Sequence, residues 1–260
     1  LIAFGWLTEW LPLAVVAGVL VFVAWNLVDV HYIRRALATS PNDAAVLGVT
    51  FAATLLLDLE IAILAGVAAS LVVYLYRTSH PSLRSLVPDP RLADRRMTEV
   101  GHGHAECPQM KILRIEGSIY FGAVNHVEDY FDALRRKTPG QKHLLLMSKS
   151  INTIDMAGAD LIGREAERRL ADGGAVYMYS PRKPVIAMLE RGGYLKAIGR
   201  DRIFGNKEEA FAGVVARLDH SICATCTARI FNECRRLPGA PRRGVDGKAR
   251  VGNTSPEEDR

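Results

Sequence analysis

Two short stretches hold the residues whose types and spacing could do chemistry. The first is "NTIDMAGADLIG", residues 152 to 163. It follows "KHLLLMSKS", an apolar run ending at Met147, and it leads into "AGADLIGREAERRLADGG", which has helical spacing and a Gly-Gly stop. A loop there points its backbone N–H groups and Asp155 outward at the start of a helix. Helix starts of that kind bind phosphate or carry a phosphorylated hydroxyl. Asp155 can also simply cap the helix, at about 1 kcal/mol.

The second stretch is "HSICATCTARIFNEC", with His220, Cys223, Cys226 and Cys234. C-x-x-C suggests zinc, iron–sulfur or redox chemistry. A second C-x-x-C is missing. If residues 220 to 234 form one helix, Cys223 and Cys234 stand about 16 Å apart along its axis and cannot share an ion. The expectation is no metal, with Cys223 and Cys226 the candidates should one exist, and both dispensable for folding. "GHGHAEC" adds His102, His104 and Cys107, which a flexible linker explains equally well. "ADGGAVY" has the glycines of a phosphate loop without its Lys-Ser/Thr. No Ser–His–Asp or Cys–His constellation and no framed carboxylate pair stands out, so no enzyme activity and no cofactor is expected.

The elements that must position these residues divide sharply. The chain has 260 residues, 49% hydrophobic, with a net charge of +5. Residues 1 to 76 are almost uncharged, and residues 77 to 260 hold nearly all the Lys, Arg, Asp and Glu. That pattern fits a membrane anchor followed by a water-compatible domain. The chain begins with Leu inside an apolar segment, lacks the basic n-region and cleavage site of a signal peptide, and reads as a fragment with its upstream part missing. The four cysteines, at 107, 223, 226 and 234, are too few for a secreted disulfide framework and read as reduced thiols.

"WLPLAVVAGVLVFVAWNLV", residues 10 to 28, has no charged side chain and is about 28 Å long as a helix, enough to span a hydrocarbon core. Trp6, Trp10 and Trp25 lie near its ends, where aromatic belts sit, and Pro12 is in its first turn. Residues 44 to 76 are too long for one span, so a hairpin turning at Asp58–Glu60 is expected, with two short arms of about 21 to 24 Å. Ala14 and Gly18, then Ala44, Gly48 and Ala52, then Ala65 and Ala69 recur four apart, which lets helix backbones approach closely. Arg34 and Arg35 follow the first span, and Arg77, Arg84, Arg91, Arg95 and Arg96 follow the last. The positive-inside rule then places residues 29 to 43 and everything after 77 in the cytoplasm.

From 111 the period changes. "KILRIEG" alternates as a strand, Gly117 turns it, and "SIYFG" reads as a second strand. "AVNHVEDYFDALRRK" is helical, "HLLLM" is a strand covered on both faces, and a loop and helix run to Leu170. "AVYMY", "PVIAMLERGGYL", "RIF" and "NKEEAFAGVVARLDH" then read as strand, helix, edge strand and helix, with Asn206 as an N-cap. The order ββαβαβαβα gives a helix-covered sheet of about one hundred residues, α/β or α+β. "LPGAPRRGVDGKARVGNTSPEEDR" reads as a disordered tail. The expected organisation is 1–77 membrane helices, 78–108 a cytoplasmic linker, 109–220 the α/β domain, and 221–260 a Cys-containing segment and tail.

"ILRIEGSIYFGAVNHVEDY", "NTIDMAGADLI" and "LERGGYLKAIGRDRIFGNKEEAF" resemble the STAS domain of sulfate transporters and anti-sigma-factor antagonists. "LPLAVVAGVLVFVAWNLVD" and "NDAAVLGVTFAATLLLDLEIAILAGVAASLVVYLYR" resemble the last three membrane helices of SulP-family anion transporters. The resemblance covers roughly residues 10 to 220. It implies about three transmembrane helices followed by a STAS domain with a mixed sheet, and a secondary-active transporter of an inorganic anion such as sulfate or bicarbonate. It further implies a multi-pass inner-membrane protein, a homodimer, with STAS in the cytoplasm and the substrate pocket upstream of this chain. A cytoplasmic protein partner at the loop and no nucleic acid complete the expectation; the alternative is a membrane-tethered STAS module without transport. In the antagonists the loop holds a phosphorylatable serine, in a D-x-S-G pattern. Here it reads Asp155, Met156, Ala157, Gly158, and Ala157 has no hydroxyl to phosphorylate. Ser148, Ser150 and Thr153 are the nearest hydroxyls, and none matches that position.

Overall fold

The computed structural model describes residues 13–89, 96–101 and 103–236. Trp6, Trp10, Pro12, Arg91, Arg95, His102 and the tail from 237 lie outside the described residues. The chain forms two compact units, Leu1–Arg77 and Thr78–Arg260.

The first unit is helical: α1 (Leu13–Leu27), α2 (Val30–Thr39), α3 (Pro41–Leu56) and α4 (Leu59–Ser79), the last running just past the unit's end. Their boundaries follow from local chemistry. Asp29 Oδ1 accepts from Tyr32 N at 2.9 Å and opens α2, in a stretch expected only to connect two spans. Ser40 caps α3, with Pro41 in its first turn where no intrahelical N–H bond is lost. The chain breaks at Leu57–Asp58 and turns back. The hairpin is closed at its far end by Arg77, which donates to Ser40 Oγ at 2.9 Å and pairs with Asp43 at 3.2 Å. Among the described residues two stretches are long and apolar enough to cross a bilayer, Ala14–Thr39 and Leu59–Ser79. The expectation of two short arms is therefore corrected. The 16 residues of α3 give about 24 Å, but the 21 of α4 give about 32 Å. Of the small residues, Ala44, Ala65 and Ala69 are half-buried, and a Cβ on Gly66 would stand 2.8 Å from Thr50 Oγ1, so α3 and α4 approach closely there.

The second unit is a seven-stranded mixed sheet covered on both faces. Its elements are β1 (Ser82–Pro88), β2 (Met97–Glu99), β3 (Met110–Ile119), α5 (Phe121–Lys137), β4 (His143–Met147), β5 (Ile151–Ile154) and α6 (Met156–Ala171). Then come β6 (Ala175–Tyr179), α7 (Lys183–Arg191), α8 (Leu195–Ile198), β7 (Ile203–Phe204), α9 (Lys207–Val215) and α10 (His220–Thr225). The strand order is β2-β1-β3-β4-β6-β7, with β5 paired to the end of β3. β1 runs antiparallel to β2 and β3, and the other pairings are parallel. β4 alternates its buried side chains between two cores. Leu144 and Leu146 pack under α5, α6 and α7, and Leu145 and Met147 pack under α9. This is why "HLLLM" reads as a continuous apolar run.

Three sequence expectations change here. Residues 78–108, expected to be a linker, supply β1 and β2 to the sheet. "KILRIEG" and "SIYFG" are not two strands. β3 is a single ten-residue strand that continues through Gly117, where φ is +126° and the pairing with β5 shifts register. A glycine suits that left-handed backbone, so it bends the strand without turning it. The loop after Met147 also contains β5, four residues that pair with the bent end of β3.

Candidate functional site

The bend in β3 decides where the site forms. Beyond Gly117, β3 pairs with β5 through Gly117↔Ile151 and Ile119↔Ile154. Two strand-to-helix turns therefore lie side by side, at Tyr120 before α5 and at Asp155 before α6. Tyr120 offers no side-chain cap to α5. Asp155 serves both helices. Its Oδ1 accepts from Gly158 N at 2.8 Å, and its Oδ2 accepts from Phe121 N at 2.9 Å. Its own N–H donates to Ile119 O at 3.2 Å. One carboxylate thus satisfies a free N–H at the start of each helix.

The rest of the loop divides into tight and open parts. A Cβ on Gly158 would stand 2.4 Å from Ile119 O, so α6 sits directly on the end of β3. Met156 and Phe121, by contrast, are 63% and 80% exposed and flank the shared carboxylate. Ala157 is half-buried. Of the neighbouring hydroxyls, Ser148 is fully buried. Ser150 Oγ donates to Ile115 O at 2.9 Å, and exposed Thr153 bonds Ser118 Oγ at 3.0 Å. Asp155, Met156, Ala157 and Gly158 form this turn, and the structure adds Phe121 to it. Phe121 was missed because its N–H meets Asp155 only through the pairing of β3 with β5, 34 residues apart in sequence.

The cysteine segment differs from its sequence reading. α10 ends at Thr225, not near 234, so Cys223 and Cys234 are not spaced along one helix. Arg229, with φ +33°, sits in the reversal and donates to Cys223 O at 3.2 Å and to Cys234 O at 2.9 Å. Cys223, Cys234 and Cys107 end up buried in the core under α9. Burial raises all three thiols, Cys107 to about 11. Among the described residues no three His, Cys, Asp or Glu side chains stand where they could hold a metal ion.

The STAS-domain family profile matches residues 103–210. The chain is 25% identical over 210 residues to YvdB of Bacillus subtilis (strain 168), a protein with a provisional sulfate-transporter name, covering 80% of this chain and 37% of that protein. It is 24% identical over 223 residues to high affinity sulfate transporter 2 of Stylosanthes hamata, covering 79% and 32%. The chain thus spans about a third of the length of these curated relatives. Its fold is that of the murine solute carrier 26 family member A9 anion transporter in the inward-facing state. The TM-score is 0.58 at 20% identity, over 73% of this chain and 31% of that one.

An apolar helical segment that runs into a helix-covered mixed sheet, with STAS sequence from β3 through β7, is that of a STAS-bearing membrane protein. More narrowly, residues 103–210 match the STAS domain, and the chain is similar to sulfate transporters over most of its length.

Proposed function

We propose that this chain is the C-terminal part of a secondary-active transporter of an inorganic anion, of the sulfate or bicarbonate class. One observation carries the reading. The apolar helices lead directly into the STAS domain, and similarity to sulfate transporters extends over both, 80% of this chain in one case. In this reading residues 1–77 are transmembrane helices of the transporter in the inner membrane, the sheet domain that begins at Thr78 is its cytoplasmic STAS domain, and the anion pocket is built by helices outside this chain. The STAS domain regulates or assembles the transporter, as a homodimer, and docks a cytoplasmic protein through Asp155, Met156, Ala157 and Gly158. Exposed Met156 and Phe121 beside a rigid double cap suit such docking.

The test is uptake of labelled sulfate and labelled bicarbonate by proteoliposomes holding the protein of the complete reading frame. Uptake of either anion, above empty liposomes and driven by an ion gradient, is expected. Folded protein that moves neither overturns the reading.

A further inference from the structure

All four cysteines of the chain line one small cavity. Cys107 comes from the turn before β3, Cys223 from α10, Cys226 from its C-terminal cap, and Cys234 from the 3-10 turn Asn232–Arg236. Leu218, Ile230 and Phe231 close the walls, and the free volume between them is about 10 Å³, the size of one water molecule or ion. The second pair of ligands that the sequence lacks is therefore supplied in space, by Cys107 and Cys234.

One of the sulfurs is also provided with a donor. Gln109 Nε2 donates to Cys223 Sγ at 3.3 Å. A neutral thiol is a weak acceptor and gains little from such a donor. A thiolate bound to a metal gains much more, and N–H groups aimed at ligand sulfurs tune and orient them. The scaffold around the cavity is also held by bonds between groups other than the thiols. Gln109 clamps the segment by donating to Asp219 O at 2.9 Å and accepting from Asp219 N at 2.8 Å. Arg229 lines the cavity and ties Cys223 O to Cys234 O. Its guanidinium offsets part of the −2 charge that four thiolates and one divalent ion would carry.

We propose that Cys107, Cys223, Cys226 and Cys234 form a four-thiolate zinc site that staples the segment after α9 onto the sheet. Four cysteines around one cavity, two of them spaced C-x-x-C, supply the ligand type and number of structural zinc. As they stand no three of the thiols are at ligand positions, so binding requires them to close inward over the cavity. Four Zn–S bonds form, up to four thiol protons pass to buffer, and no electron is transferred. Half-buried Cys226 is the entry side.

The experiment uses the full chain, purified in detergent under reducing, chelator-free conditions. Metal analysis should find about one zinc per chain, falling about tenfold in Cys107→Ser and in Cys223→Ser/Cys226→Ser. Cys107→Ser is decisive, since it lies outside the C-x-x-C segment. Should the variants fail to fold, cobalt titration of the metal-stripped wild type supplies the reading. Visible absorption of tetrahedral thiolate cobalt, bleached by one equivalent of zinc, is expected. Folded wild type that holds under about 0.1 zinc, full zinc retention in Cys107→Ser, a disulfide between any two of these thiols, or an iron–sulfur chromophore would each overturn the proposal.

Discussion

Asp155 has two carboxylate oxygens, and both are used on helix starts. Replacing it with alanine removes two caps at once. The expected loss is about 1–4 kcal/mol, from about 0.5–2 kcal/mol for each cap. Amide hydrogen exchange should locate the damage, with Phe121 and Gly158 exchanging faster while the centre of β4 stays protected. Half of this was legible in the sequence. An aspartate three residues before a glycine in a helical run predicts the Gly158 bond, which is local. The Phe121 bond needs β3 and β5 to pair, and no spacing rule reports that. Gly158→Ala should cost about 1–3 kcal/mol in thermal unfolding, because the new methyl meets a backbone carbonyl that cannot swing away. Ala157→Ser should leave transport nearly unchanged, and Ala157→Glu should perturb the loop by crowding and by repulsion from Asp155. Stoichiometric phosphate on Ser148, Ser150 or Thr153 that altered transport would contradict that reading of the loop.

Among the elements, the parallel core strands were the most legible and the sheet's antiparallel side the least. "HLLLM" and "AVYMY" are short apolar runs between turn residues and can be little else. β1 holds Arg84 beside Glu99 and Glu116, and it sits in a Pro-punctuated basic stretch whose composition suggests a linker. Only pairing with β3 makes it a strand. α6 is held by a buried ion pair as well as by its apolar face. Glu165 and Arg169 are 1% and 3% exposed, Arg169 Nε donates to Glu165 at 2.6 Å, and Arg135 reaches the same carboxylate from α5. Glu165→Ala leaves Arg169 charged and without that partner, at about 3–5 kcal/mol, readable as a lowered Tm. β4 also carries a pH-sensitive group. Burial, with Arg169 nearby, holds the His143 imidazole below its ordinary range, and its Nδ1 lies 3.2 Å from Tyr177 Oη. The unfolded chain then binds more protons than the folded one as pH falls through about 6.5, so stability falls with it. His143→Gln should flatten that acid limb of the Tm-against-pH curve.

At the scale of the whole molecule, the charge distribution predicts which side of the membrane each end of the α3–α4 hairpin faces. Arg77, Asp43 and Ser40 close one end, and Leu57–Asp58 forms the other, so the two ends lie a helix length apart. The closed end continues into Arg84 and the basic stretch that follows, while Arg34 and Arg35 lie in α2 just before it. The turn at residues 57 to 60 carries Asp58 and Glu60 and no Lys or Arg. Excess positive charge stays on the cytoplasmic side. The 21 residues of α4, about 32 Å, are enough to carry the turn across the hydrocarbon core. The turn should therefore face outside, with α2 and the STAS domain in the cytoplasm. Leu59→Cys and Leu37→Cys, each treated with an impermeant maleimide in intact and in broken cells, separate the outcomes. Three of the native thiols are buried, and the parent protein controls for half-buried Cys226. Position 59 should label in intact cells, and position 37 only after the cells are broken. The reverse pattern would invert the topology. It would also place the STAS loop outside, out of reach of the cytoplasmic partner proposed for it.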